Sequence, residues 1–142
     1  MAYTEQLEQI LVARAVDLNS VADVTGANWT PLAFPVMVHG IFAAVGNTIA
    51  AAGVLKCDKR VTFGDDTGRG DGDLGVITFA TTHTGGKVVY HLLSTPVKVS
   101  PGEQAVFQVT DATGASDVAD IGLLVSPSWE RPANISAMVA TV

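Results

Sequence analysis

Cysteine is almost missing from this chain: Cys57 stands alone among 142 residues, which excludes an internal disulfide and any multi-cysteine metal site. Synthesis in a reducing cytosol is the expectation. Aromatic residues are only 6% of the chain, while Ala and Val are plentiful. The core is therefore expected to be thin, sheet-like and filled by small and β-branched side chains. Positive charge is scarce as well. Eight Lys and Arg face fourteen Asp and Glu, for a net charge of −6, and the basic footprint of a phosphate-binding protein is missing. Nucleic acid is not an expected partner. The densest basic group, Lys56, Lys59 and Arg60, is diluted by Asp58 and Asp65 and reads as a solvated strand edge. Charge of either sign makes up only 15% of the residues against 48% hydrophobic, a thin polar covering that favours an oligomer or a docked subunit.

Uninterrupted apolar runs are lacking too. The stretch from Leu32 to Leu55 contains Pro35, His39, Gly40, Gly46, Asn47, Thr48 and Gly53, which a lipid-embedded helix would tolerate badly. Two buried strands joined at Gly46-Asn47 explain it better, and no membrane partner is expected. Glu5 and Glu8 interrupt the start, so no secretory leader is expected. The sequons at Asn28 and Asn134 then read as chance matches.

The length fits one domain, 1–142, and the pattern within it is mostly of period two. The opening residues, with Thr4, Glu5, Glu8, and Leu7, Ile10 and Leu11 at helical spacing, predict a short helix or arm over 1–12. A β-sandwich is expected over 13–142. Val12, Arg14, Val16 and Leu18 alternate with Ala13, Ala15, Asp17 and Asn19. Turn chemistry follows at Gly26 to Pro31, then strands at about Val36–Val45 and Ile49–Phe63. Val76–Thr81 and Lys87–Leu93, separated by His83-Thr84-Gly85-Gly86, predict a hairpin. Val97–Ser100 comes next. Ala105, Phe107 and Val109 then alternate with Val106, Gln108 and Thr110 as a half-buried strand, and Ile121–Val125 and Ile135–Val142 close the series. About eight short strands without interleaved long helices predict an all-β antiparallel sandwich of jelly-roll type.

Candidate chemistry is sparse. His39, His83 and His91 show no H-x-H or H-E-x-x-H pattern and no His/Glu clustering of the metal-binding cupin kind, so each reads as a packed or turn residue. The loop holding Asp65, Asp66, Arg69, Gly70, Asp71 and Asp73 offers hard oxygen ligands. Aligning a calcium-loop template on Gly70, however, puts Thr67 and Arg69 where ligands belong. A hydrated, exposed loop is the expected state. Arg69-Gly70-Asp71 matches the tripeptide of integrin ligands, yet contact with a neighbouring subunit is the more economical role for it. No Ser or Thr lies in a G-x-S-x-G elbow, no phosphate-loop pattern occurs, and Cys57 has no local base. No enzyme activity, cofactor or metal is expected, and Cys57 reads as a small buried hydrophobe.

Three stretches resemble the head decoration, or cement, proteins of tailed bacteriophages, of the small jelly-roll kind. They are Val16 to Ala22 leading to the proline-marked strand start at Pro35; Gly85 to Tyr90 followed by Val97-Lys98-Val99-Ser100-Pro101-Gly102-Glu103; and Ser126 to Asn134. The resemblance implies a homotrimer on the capsid exterior that clamps major capsid proteins together, with a terminal arm reaching the shell or an adjacent subunit. Candidate interface residues are Leu7, Ile10, Leu11, Trp29 and Trp129. A tail-fibre or carbohydrate-binding β-sandwich is the alternative, although a glycan site normally shows grouped aromatics and here Tyr3, Trp29, Tyr90 and Trp129 are scattered.

Overall fold

A computed structural model describes residues 7–61, 72–114 and 116–127. Among them run eight strands: β1 (Glu8–Asp17), β2 (Ala22–Trp29), β3 (Val36–Val45), β4 (Gly53–Arg60), β5 (Gly75–Phe79), β6 (Val88–Val99), β7 (Gln104–Asp111) and β8 (Val118–Pro127). Strand β1 pairs with β8, β2 with β7, β3 with β6 and β4 with β5, all antiparallel. This nested pairing is what one long hairpin gives when it rolls up on itself. Two four-stranded sheets result, with orders β1-β8-β3-β6 and β2-β7-β4-β5. The architecture is the all-β jelly roll that the alternation predicts.

The inward side chains of both sheets make one apolar layer. Val38, Ile41, Ala43, Ile121 and Leu123 come from the first sheet, and Leu55, Cys57, Ile77, Phe79, Ala105, Phe107 and Val109 from the second, all essentially inaccessible. Leu18, Ile49 and Leu74 close the layer from the connections between strands. The two-residue side-chain period puts these groups on one face of each strand.

One end of the sandwich is tied by a buried carboxylate. Asp117 accepts hydrogen bonds from Asn47 Nδ2 at 2.9 Å and from the Ala50 N–H at 2.9 Å, and Asn47 Oδ1 accepts one from the Val118 N–H at 3.0 Å. Thr113 adds its N–H and hydroxyl, both donated to the Leu18 carbonyl. The Gly46-Asn47 turn is thereby clamped to the strand that follows Asp117. A second irregularity lies in β1, where Ala15 takes a left-handed φ of 49° at a register shift and its N–H donates to Asp120 Oδ1 at 2.8 Å.

Several expectations are corrected. Glu8 to Val12 lie in β1, with Glu8 to Leu11 in register with β8, in place of a helix or free arm; residues 1–6 lie outside the described residues. Backbone pairing with β8 outweighs a weak helical spacing. Strand β2 occupies Ala22–Trp29, which includes the Gly26 to Trp29 segment read as a turn. The segments joined at Gly46-Asn47 are two strands, but β3 and β4 belong to different sheets, and Ile49 is a buried connection residue before β4 begins at Gly53. Likewise β5 and β6 are no hairpin: β5 pairs with β4 and β6 with β3. Strand β7 lies between β2 and β4, and Val106 and Gln108 are buried along with Phe107, so the strand is not half-exposed. The predicted strand Ile135–Val142 lies outside the described residues.

Replacing Asp117 with alanine strips two donors of their buried acceptor. Chemical denaturation is expected to show a loss of about 3 kcal/mol, from unpaired buried groups, with the β-sheet circular dichroism spectrum retained.

Candidate interaction surface

The first sheet turns an apolar face to solvent. Its outward side chains follow from the register, in which Leu11 of β1 stands in a row with Gly122 of β8, Phe42 of β3 and Tyr90 of β6. One row along, Gln9 aligns with Leu124, Gly40 and Leu92. Two glycines therefore occupy the middle strands where side chains would otherwise rise. A Cβ on Gly122 would meet the Ile10 carbonyl oxygen and the Phe42 ring, and one on Gly40 the His91 carbonyl oxygen. The centre of the sheet is low and its two edge strands are high. The result is a trough of about 300 Å³ lined by Leu7, Gln9, Phe42, Val88, Tyr90, Leu92 and Leu124.

None of those residues is charged. Tyr90 is 62% exposed, and Leu7, Leu11, Val88 and Leu92 are each exposed by about half. A contiguous apolar face of this kind marks an interaction surface far more often than a solvated one. A separate apolar tip lies in the β2–β3 connection, where Leu32 is 94% exposed beside exposed Phe34. Thr30, at the base of that loop, donates its hydroxyl to the Glu103 carbonyl at 2.6 Å, fixing the loop against the β6–β7 turn.

The outer side of the second sheet is different in kind. Strand β4 lies between β7 and β5 and not at an edge, and Asp58 and Arg60 are buried and form an ion pair at 3.9 Å. Asp58 Oδ1 also accepts the Gly72 N–H at 2.6 Å. Lys59 reaches the other sheet, with its Nζ 3.4 Å from Glu103 Oε2 and donating to the Lys98 carbonyl. Burial works to raise the Glu103 carboxyl, but the Ser100 N–H bond and Lys59 outweigh it and hold the group below its usual range. Asp73 is pushed up, chiefly by burial, against the Lys59 N–H bond that it accepts at 2.9 Å. Among the described residues no three His, Cys, Asp or Glu side chains come together in a way that would hold a metal ion.

The sequence-predicted residues separate accordingly. Leu7 and Leu11 face outward beside the trough, while Ile10, of opposite parity, packs against the core, as does half-buried Trp29. Trp129 and loop residues Asp65, Asp66, Arg69, Gly70 and Asp71 lie outside the described residues, and exposed Asp73 borders β5. The three histidines do not meet. His39 Nε2 is 2.7 Å from Ser126 Oγ; His91 Nδ1 accepts the Val76 N–H across the two sheets at 2.9 Å; His83 Nδ1 accepts the Ala80 N–H at 3.1 Å and stands edge-on to Phe79. Phe42, Val88, Leu92 and Leu124 line the trough without having been singled out in the sequence, and Tyr90, read there as one of four scattered aromatics, lines it with them. The available signal was Val88 to Leu93, apolar on both parities of a strand except for His91.

Two outcomes follow from this geometry. Gly122→Ala is expected to destabilise the fold by roughly 2–3 kcal/mol through overpacking, read by urea denaturation. Cys57 is completely buried and its thiol is raised well above the ordinary range, first by burial and then by Asp58 and Asp73. A thiol-reactive dye is therefore expected to leave the native protein unlabelled and to label it promptly in denaturant. Comparison of the chain with protein-family models, with curated proteins and with solved structures gives no match, so the fold and this apolar face are what its function has to be read from.

Proposed function

We propose that this protein is a structural subunit of a tailed-bacteriophage virion. In this reading it is a capsid decoration or cement protein, made in the host cytoplasm, that forms a homotrimer and binds the major capsid protein on the outside of the shell. The observation that carries the proposal is the uncharged trough on the first sheet, flanked by half-exposed Leu7, Leu11, Val88, Tyr90 and Leu92. Burying such a face in an assembly is worth about 25 cal/mol for each Å² removed from water. That gain repeats in every symmetric copy.

A cement subunit needs contact with its own copies and with the shell, and the two apolar surfaces serve those two needs. The trough is broad and crosses all four strands of the first sheet. The Leu32/Phe34 tip is small, prominent and rigidly based, suited to insertion between shell subunits. The exposed Tyr90 ring beside the trough favours, as a second reading, stacking on a sugar in a carbohydrate-binding module.

Sedimentation combined with particle pull-down tests the proposal. The protein is expected to sediment as a trimer and to pellet with shells that lack it. Leu32→Glu is expected to lower shell binding at least about tenfold, a loss typical of charging a buried contact, without altering the trimer. A monodisperse monomer that stays in the supernatant overturns the proposal, and glycan-array binding by that monomer establishes the second reading.

A further inference from the structure

Within the reading just given, we infer that the outer face of the first sheet is covered by further copies of this chain, joined head to tail with the β6 edge of one copy against the β1 edge of the next. The basis is a match between the two edges that the strand register makes explicit. Tyr90 and Leu11 share a row, and Leu92 shares one with Gln9. At one end the Lys87 carbonyl accepts the Val45 N–H, and Val45 is in register with Ala119 and through it with Val16. Lys87 thus stands one residue from the level of Asp17 and of Asp120. At the other end Lys98 is level with Ser126, one residue from the row of Val125 and Glu8.

The β6 edge therefore carries a lysine near each end with Val88, Tyr90 and Leu92 between them and an irregular Leu93–Pro96 segment before Lys98, and the β1 edge carries Asp17 and Glu8 within one residue of those two heights. Arg14 is the single cation of β1, and Asp17 and Glu8 outweigh it. A rotation about an axis parallel to the strands leaves every row at its own height. It therefore brings Tyr90 to Leu11 between neighbouring copies, and sets Lys87 and Lys98 each one residue from Asp17 and Glu8, within reach of a lysine side chain. The strands that meet run antiparallel, as do all pairs within the sheet. The troughs of all copies face the axis, where their apolar linings bury one another.

The alternative of two copies meeting face to face about a two-fold sets trough against trough, and the recessed glycine rows leave a gap. A head-to-tail junction uses unlike edges and closes as a ring. Five side chains exposed by about half, together with the trough floor, offer on the order of 500 Å² per copy, so each junction with its charged rim approaches the roughly 1,000 Å² that a specific interface needs.

The junction is tested by disabling its two sides separately. Tyr90→Arg removes the β6 side and Leu11→Arg the β1 side; both residues are exposed enough for the fold to persist, which circular dichroism checks, and Val88→Lys and Gln9→Lys provide a second pair. Light scattering at about 100 µM, well above the dissociation constant of a stable oligomer, is expected to show each variant alone as a monomer. An equimolar mixture is expected to show a dimer containing one copy of each, because one intact β6 side and one intact β1 side remain. A mixture that stays monomeric, or variants that keep the wild-type mass, overturns the inference. Wild-type protein that is monomeric yet pellets with shells overturns this inference and the trimer with it but leaves shell binding standing, whereas wild-type protein that oligomerises as described and ignores shells does the reverse.

Discussion

The closure of two sheets over a common apolar layer is the constraint from which everything else in this protein follows. A β-strand has only two faces. Once Ile41, Leu55, Phe107 and Leu123 are committed inward, the neighbours of each point outward with no choice left to them. What lies on the outer faces is then free to vary, and here the two sheets vary in opposite directions. The second sheet buries an ion pair and Gln108 on its outer side, while the first leaves Val88, Tyr90 and Leu92 in water. Charge where solvent is excluded and grease where solvent is present is the reverse of the arrangement a solitary sandwich would favour.

The nested pairing explains why the two ends of the sequence matter so much. Strand β1 hydrogen-bonds only to β8 within its sheet, about a hundred residues away, so its conformation is set by the last described segment of the chain. Local preference had little influence there. The same long-range closure relies on few specific polar ties: Asp117 to the Gly46-Asn47 turn, Thr113 to Leu18, Thr30 to Glu103, and His91 to Val76. Each joins segments that apolar packing alone would leave able to slide, since small Ala and Val side chains interlock weakly.

Glycine plays a shaping part on the outer face of the first sheet. Gly122 lies beneath the Phe42 ring and against the Ile10 carbonyl, and Gly40 against the His91 carbonyl. Side chains there would have filled the centre of the sheet and made it flat or convex. Their absence leaves a concave surface whose lining side chains are all uncharged.

Much of the fold was legible in the residues themselves. Alternation over Ala105 to Val109, the Pro35 boundary before β3 and the lack of sustained helical spacing together determined an all-β sandwich, because a period of two is the repeat of an extended strand and not of a helix. The lone cysteine, the acidic balance and the scattered histidines determined which chemistries had no support. Tertiary structure alone decided that β5 and β6 part company, that Glu8 to Val12 form a strand, that Arg60 is buried, and that Leu7 and Tyr90 share a face while Ile10 does not. The physical reason is that pairing partners and outer-face cover are properties of distant segments. A local pattern shows which side of a strand is apolar, but not which strand will lie beside it or what will lie above.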